Sequence, residues 1–99
     1  MVVVVAKVKA ADGHGDEVAG KLSEMVAWVG ENEDDTLTYA CNRSAEDANV
    51  FLFFERYTDQ AAFDAHMGSE RFAQLAGDLQ DKLDGGVEMG VYEELAAKI

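Results

Sequence analysis

The sequence predicts an α+β fold, a ferredoxin-like β-α-β-β-α-β unit in which helices cover one face of a four-stranded antiparallel sheet. Short segments rich in Val, Phe, Tyr and Thr alternate with longer segments whose apolar residues recur at helical spacing. The length of 99 residues and the 48% hydrophobic content are typical of one small folded unit. Residues 1–99 are therefore assigned to a single domain.

The first half of the chain is predicted to form strand, helix and strand. Val2 to Lys9 is rich in β-branched residues, which favour a pleated strand. Asp16 is the predicted N-cap of a helix that ends at Gly30 and the acidic run after it. The next strand runs from Thr36 to Arg43. One face of the helix is apolar and consists of Val18, Leu22, Met25, Val26 and Val29.

The second half repeats the pattern. Val50 to Tyr57 is the third strand, after which Thr58 or Asp59 is predicted to cap a short helix. A glycine interrupts that helix, and Ser69 caps its continuation. Val87 to Tyr92 is the fourth strand. The continuation has an apolar stripe of Phe72, Leu75, Ala76, Leu79 and Leu83.

Both faces of the sheet are predicted to be covered. A strand with one solvent-exposed face alternates apolar and polar residues. The third strand is instead apolar at every position before Glu55. The face that carries Leu52 and Phe54 would otherwise be a large apolar patch. A homodimer that packs sheet against sheet is therefore expected.

Charge and cysteine content limit the possible partners. The formal net charge is −12, from 20 acidic and 8 basic residues, so neither nucleic acid nor an anionic membrane is an expected partner. An acidic surface favours solubility and is also what adaptation to high salt produces.

Cys41 is the only cysteine, which excludes an intrachain disulfide and a Cys-rich zinc site. The longest N-terminal apolar run, Val2 to Ala6, is too short to span a bilayer, and we expect a cytoplasmic protein.

Glu55, Tyr57 and His66 form the candidate site. Glu55 and Tyr57 have the same parity on the third strand, and the helix that begins immediately afterwards carries His66. We expect the helix to fold back over that face, so that the three side chains meet in one pocket. A lone histidine on a short helix is more often structural, and that reading stays open. No metal-ligand spacing or phosphate loop occurs, so no metal or other cofactor is expected.

The same residues resemble the antibiotic biosynthesis monooxygenase domain family, which consists of dimeric α+β barrel proteins. The resemblance is carried by residues 33–39, 51–59, 61–66 and 69–72. The family pattern has a Glu-Pro-Gly turn, an apolar strand that ends in Glu-x-Tyr/Trp-x-Asp, and a helix with a histidine. Asp34 and Asp35 replace the usual Pro-Gly of the turn.

The resemblance implies a cofactor-independent monooxygenase that oxidises a hydroquinone or a phenolic, polyketide-like substrate with O₂. His66 would then be the base, Tyr57 would hydrogen-bond the substrate oxygen, and Glu55 would orient the pair. The side chains that would contact the aromatic ring are Trp28, Tyr39, Phe53, Phe63 and Phe72.

The resemblance also implies alternatives. Isomerases of a small phosphorylated sugar would use His66 for proton transfer, but they need cations for the phosphate, and the 8 basic residues here are not clustered. Haem-degrading relatives use an Asn and an iron-ligating His, whose positions correspond to Ala6 and Ala76 here. A non-catalytic dimeric module that binds small molecules is the third alternative.

Overall fold

The structure is a computed structural model that describes residues 1–99. The elements, in chain order, are strand β1 Val2–Lys9, helix α1 Gly15–Asn32, β2 Thr36–Arg43, β3 Val50–Tyr57, α2 Gln60–Met67, α3 Glu70–Leu79 and β4 Glu88–Glu93. The strands form one antiparallel sheet in the order β2-β3-β1-β4. The predicted ferredoxin-like α+β fold is confirmed. None of the helices combines the length and hydrophobicity that a membrane crossing requires.

The helices cover one face of the sheet, which we call the inner face. Alternate residues of β3 point toward the helices, and Phe51 and Phe53 are only 1% and 4% exposed. They pack in one core with residues of β1, α1 and α3: Ala6, Val8, Val18, Leu22, Met25, Val29, Leu75 and Leu79. On the opposite, outer face, Leu52 and Phe54 are 41% and 39% exposed. The burial pattern therefore follows the predicted strand parity.

The two short helices begin where the sequence predicted. The Asp59 side chain accepts a hydrogen bond from the backbone N–H of Ala62 at 2.9 Å. The Ser69 hydroxyl oxygen accepts one from the backbone N–H of Phe72 at 3.1 Å. Each cap satisfies a donor that has no partner within its own helix.

Helix α1 differs from the prediction at both ends. His14 is its N-cap and makes no side-chain cap bond, so Asp16 lies inside the first turn. The Asp16 carboxylate instead accepts a hydrogen bond from Arg43 at 3.0 Å. At the other end the helix continues past Gly30 to Asn32. One glycine costs a helix only about 1 kcal/mol, which is too little to end it.

The last part of the chain leaves one side of the inner face open. Strand β4 lies one residue later than predicted and pairs with β1, so that Met89 is opposite Ala6. Leu83 was predicted to extend the stripe of α3, but it lies beyond that helix and forms a bridge with Ala10. Val87 and Met89, near the end of the chain, are 54% and 46% exposed. This opening leads into a cavity.

Candidate functional site

A cavity of about 390 Å³ lies between the sheet and α3. Of its 17 lining residues 13 are hydrophobic, and none is Lys or Arg. Its size and character are those of a site for a small organic molecule. The polar side chains in its wall are Tyr39, Glu55, His66 and Gln80.

His66 is a buried part of this wall, with only 2% of its surface exposed. Its ring lies among aromatic neighbours, at centroid distances of 5.0 Å from Tyr39 and 5.4 Å from Phe72. Its Nδ1 is 2.8 Å from Oε1 of Glu33. A carboxylate has only acceptor atoms, so this contact favours the tautomer of His66 that carries its proton on Nδ1.

Three polar atoms at the site have no hydrogen-bond partner in the protein: His66 Nε2, Tyr39 Oη and Glu55 Oε2. The hydrogen bonds of His66 and Glu55 use their other polar atoms. No buried side-chain nitrogen or oxygen lacks a partner, so each of these three atoms reaches accessible space. All three residues line the cavity.

Glu55 and Tyr57 form a buried pair next to the imidazole. Tyr57 Oη donates a hydrogen bond to Glu55 Oε1 at 2.5 Å. Burial raises the pKa of Glu55. The hydrogen bond from Tyr57 and the nearby His66 lower it, but the net shift is upward. Burial, followed by the bond to Glu55, raises the pKa of Tyr57. Both groups therefore favour their protonated forms more than they do in water.

Tyr57 does not take the position that the sequence analysis gave it. It is 0% exposed and does not line the cavity, so its hydroxyl cannot contact a molecule bound there. It lies behind Glu55 and holds that carboxyl group instead. Tyr39, on the neighbouring strand, presents a hydroxyl without a protein partner to the cavity. Burial and then the charge of Glu55 raise the pKa of Tyr39.

The predicted ring-contacting residues divide into two groups. Three of them line the cavity: Tyr39, Phe53 and Phe72. Phe63 instead packs edge-on against Tyr57, with ring centroids 5.2 Å apart, in a separate small core. Trp28 lines a second, smaller cavity of about 240 Å³. Strand parity predicts which face a residue occupies, but it does not predict how far each helix is rotated above that face.

Glu33 is the contact of His66 that the sequence analysis did not predict. It follows directly after α1 and accepts hydrogen bonds from Thr36 Oγ1 at 2.7 Å and from His66 at 2.8 Å. Glu55, which we expected to orient the histidine, bonds to Tyr57 instead. The only sequence signal for Glu33 was its place at the start of a segment that carries the family resemblance.

The positions compared with haem-degrading relatives lie in the same cavity. Ala6 and Ala76 both line it, and alanine has no atom that could ligate iron. No group of three or more His, Cys, Asp or Glu side chains is arranged to hold a metal ion.

The sequence model of the antibiotic biosynthesis monooxygenase family matches residues 1–78. This match spans well over half of the 99 residues, and the chain belongs to that family. No protein with a curated description matches the sequence.

Solved structures share the fold over almost the whole chain. Rv0793 from Mycobacterium tuberculosis is 24% identical, with 97% of this chain and 96% of that chain covered and a TM-score of 0.87. A protein from Caulobacter crescentus that carries the family's name is 22% identical, with 96% and 90% covered and a TM-score of 0.90. One from Deinococcus radiodurans is 19% identical, with 100% and 97% covered and a TM-score of 0.89. At these identities the likeness establishes the fold alone.

Proposed function

We propose that this protein is a cofactor-independent monooxygenase that oxidises a hydroquinone or another phenolic, polyketide-like substrate with O₂. The observation that carries the proposal is a buried imidazole, His66, whose Nε2 is free beside a cavity with apolar and aromatic walls. Such walls favour a flat aromatic ring. A free imidazole nitrogen can accept the hydroxyl proton of that ring. Membership of the family supports the same reaction class.

The proposed reaction begins with transfer of the substrate hydroxyl proton to Nε2 of His66. A phenol has a pKa of about 10, as tyrosine does, and its phenolate gives up electrons to O₂ far more readily than the neutral form. One oxygen atom then enters the ring as a carbonyl oxygen and the other leaves as water. A phenol and O₂ thus yield a quinone and water. Because the substrate supplies all the electrons, this reaction requires no metal or flavin.

Tyr39 and Glu55 are the groups that we propose to hold the substrate oxygens. Burial raises the pKa of Tyr39, so its hydroxyl keeps the proton that it can donate in a hydrogen bond, and burial also raises the pKa of Glu55. A donor in an apolar cavity stabilises the negative charge that develops on a phenolate oxygen. Tyr57 would support Glu55 from behind and would not touch the substrate.

The cavity weighs against an isomerase of a phosphorylated sugar. A phosphate group needs nearby cations or several backbone donors, and no Lys or Arg lines the cavity. The acidic Glu55 in the wall would also repel a phosphate when ionised. A neutral aromatic molecule fits these walls better. A non-catalytic binding module would need only the cavity, and the activity test distinguishes it.

We also infer that a second copy of the chain covers the outer face. Register places Val5 of β1 directly beside Phe54 of β3, and Val3 beside Tyr92 of β4. Phe54 and Tyr92 are 39% and 57% exposed. Neighbouring exposed apolar side chains of this kind are typical of an interface between subunits.

The test measures oxygen consumption with a panel of hydroquinones and naphthols and follows ¹⁸O from labelled O₂ into the quinone product. We expect turnover by the wild type and a loss on the order of 10²- to 10⁴-fold in His66→Ala, the usual contribution of a general base. His14→Ala is the matched control, because the half-exposed side chain of His14 bonds only to Glu17 and lies outside the cavity.

The outcomes separate the candidate functions. Ligand binding by the wild type without oxygen consumption would favour the binding module. Turnover in His66→Ala equal to that of the wild type would show that His66 is structural. In that case the variant should instead unfold at a lower temperature, because a buried, hydrogen-bonded side chain has been removed.

A further inference from the structure

We propose that Glu33 is a positioning residue for His66. It holds the imidazole in the tautomer with the proton on Nδ1, which leaves the lone pair of Nε2 for a ligand in the cavity. Its negative charge also stabilises the imidazolium that forms when Nε2 accepts a proton. The stabilisation of the imidazolium rests on the proposed function, whereas the tautomer of His66 can be measured independently of that function.

The contact between the two side chains is close and shielded. His66 Nδ1 is 2.8 Å from one carboxylate oxygen of Glu33 and 3.1 Å from the other. The two side chains are 1% and 14% exposed. A neutral imidazole has one N–H group, and a carboxylate has only acceptor atoms. The proton therefore belongs on the nitrogen that faces Glu33, and the other nitrogen is the acceptor.

Glu33 is itself fixed by neighbours on both sides. Thr36 Oγ1 donates a hydrogen bond to Oε1 of Glu33 at 2.7 Å. The Glu33 backbone N–H donates to the carbonyl of Val29 at 2.9 Å, and its carbonyl accepts from the backbone N–H of Thr36 at 3.2 Å. The residue is thus tied to the end of α1 and to the start of β2. A carboxylate held in this way can orient the imidazole, because its own conformational freedom has already been removed.

The imidazole separates two cavities of opposite character. Glu33 lines the smaller cavity together with Asp34 and Asp35, and His66 lines both. The larger cavity contains no Glu33 surface and is mostly apolar. Glu55 makes no hydrogen bond to His66: its Oε1 accepts a hydrogen bond from the Tyr57 hydroxyl, and its carboxyl group lines the apolar cavity.

The first measurement determines the tautomer directly. Protein labelled with ¹⁵N-histidine contains two imidazoles, His14 and His66, and two-bond ¹H–¹⁵N correlations distinguish the tautomers at a pH where the ring is neutral. His14→Ala assigns the signals. We expect the Nδ1–H form for His66 in the wild type and its loss in Glu33→Ala. Glu33→Gln should keep it, because the amide oxygen can still accept the Nδ1 proton.

The second measurement separates positioning from simple stability. We expect kcat to fall by about 10- to 100-fold in Glu33→Ala with KM nearly unchanged, the range known for residues that orient a metal-ligating histidine. Glu33→Gln should lie between Glu33→Ala and the wild type, because it keeps the hydrogen bond and loses the charge. Asp35→Asn is the matched control: Asp35 is exposed, lines the same smaller cavity and makes no side-chain hydrogen bond to His66.

Either measurement can overturn the proposal. An Nε2–H tautomer in the wild type, or an Nδ1–H tautomer that persists in folded Glu33→Ala, shows that Glu33 does not set the proton position. A wild-type kcat in Glu33→Ala despite a changed tautomer shows that the position has no catalytic use. If the wild type oxidises no substrate, the proposed function fails, while the tautomer result still decides whether Glu33 positions the ring.

Discussion

The two faces of the sheet carry apolar side chains from the same strand, but only one face is closed by the chain itself. On β3, Phe51 and Phe53 point to the helices and are 1% and 4% exposed. Their neighbours Leu52 and Phe54 point the other way and are 41% and 39% exposed. Alternation along a strand thus produces a packed core on one side and an open apolar surface on the other.

The polar groups of the two faces differ in the same way. On the inner face, Glu55 and His66 are buried, and each is paired with a specific partner. A buried ionisable group is tolerated only when it is hydrogen-bonded. On the outer face, the ion pair between Arg56 and Glu94 lies at the end of β3, beside the apolar residues. The inner face therefore holds the buried polar groups of the proposed site, and the proposed interface on the outer face has a polar margin.

The largest expected effect is a difference in the free energy of unfolding between variants at two phenylalanines of one strand. Phe51→Ala should lower the free energy of unfolding by about 3–5 kcal/mol, because it leaves a cavity in the core. Phe54→Ala should lower it by about 0.5 kcal/mol or less in dilute protein, as for other surface substitutions. Urea unfolding of both variants measures the difference.

Protein concentration sharpens this comparison. If a second copy covers the outer face, the cost of Phe54→Ala grows as the concentration rises and the wild type associates. The cost of Phe51→Ala should change little. Equal costs for the two variants at every concentration would contradict the difference between the faces.

The next effect concerns association. We expect the wild type to sediment as a dimer at micromolar concentration and Leu52→Asp to lose the dimer or to precipitate, because a charge in an apolar interface is costly to desolvate. Gln74→Asp, on an exposed position of α3, is the control and should remain a dimer. A wild-type monomer at that concentration, or a dimeric Leu52→Asp protein, would remove the basis for a sheet-to-sheet interface.

The smallest effect tests the buried carboxyl group of the inner face. Burial raises the pKa of Glu55 above its ordinary value of 4.5. The folded protein therefore binds this proton more readily than the unfolded chain does. The contribution of protonated Glu55 to the free energy of unfolding is present below pH 4.5. It is lost as the pH rises through the higher pKa of Glu55 in the folded protein.

Glu55→Gln removes this titration and keeps an acceptor for the Tyr57 hydroxyl. The stability of the variant relative to wild type should therefore increase with pH above 4.5 and then level off. Urea unfolding at a series of pH values measures the difference. Glu24→Gln, at an exposed position of α1, should show no such increase. A flat or falling difference for Glu55→Gln would mean that its charge is not penalised by burial.

Local sequence signals predicted most of the fold. Period-two alternation along β3 assigned Phe51 and Leu52 to opposite faces, and the burial of the two residues agrees. Asp59 and Ser69 mark helix starts because their side chains bond backbone groups only three residues away. The same logic failed for Asp16, where the longer-range bond to Arg43 is made instead of a cap.

The sequence by itself therefore determined the order of the elements, the two faces of the sheet and the residues that share the inner face, because these depend on neighbours a few positions apart. Only the tertiary structure decided that His66 pairs with Glu33, which is 33 positions away, and that Tyr57 lies behind Glu55. It also placed Trp28 outside the main cavity. Such contacts depend on how each helix is rotated and shifted above the sheet, and that choice is made by the packing of the whole core.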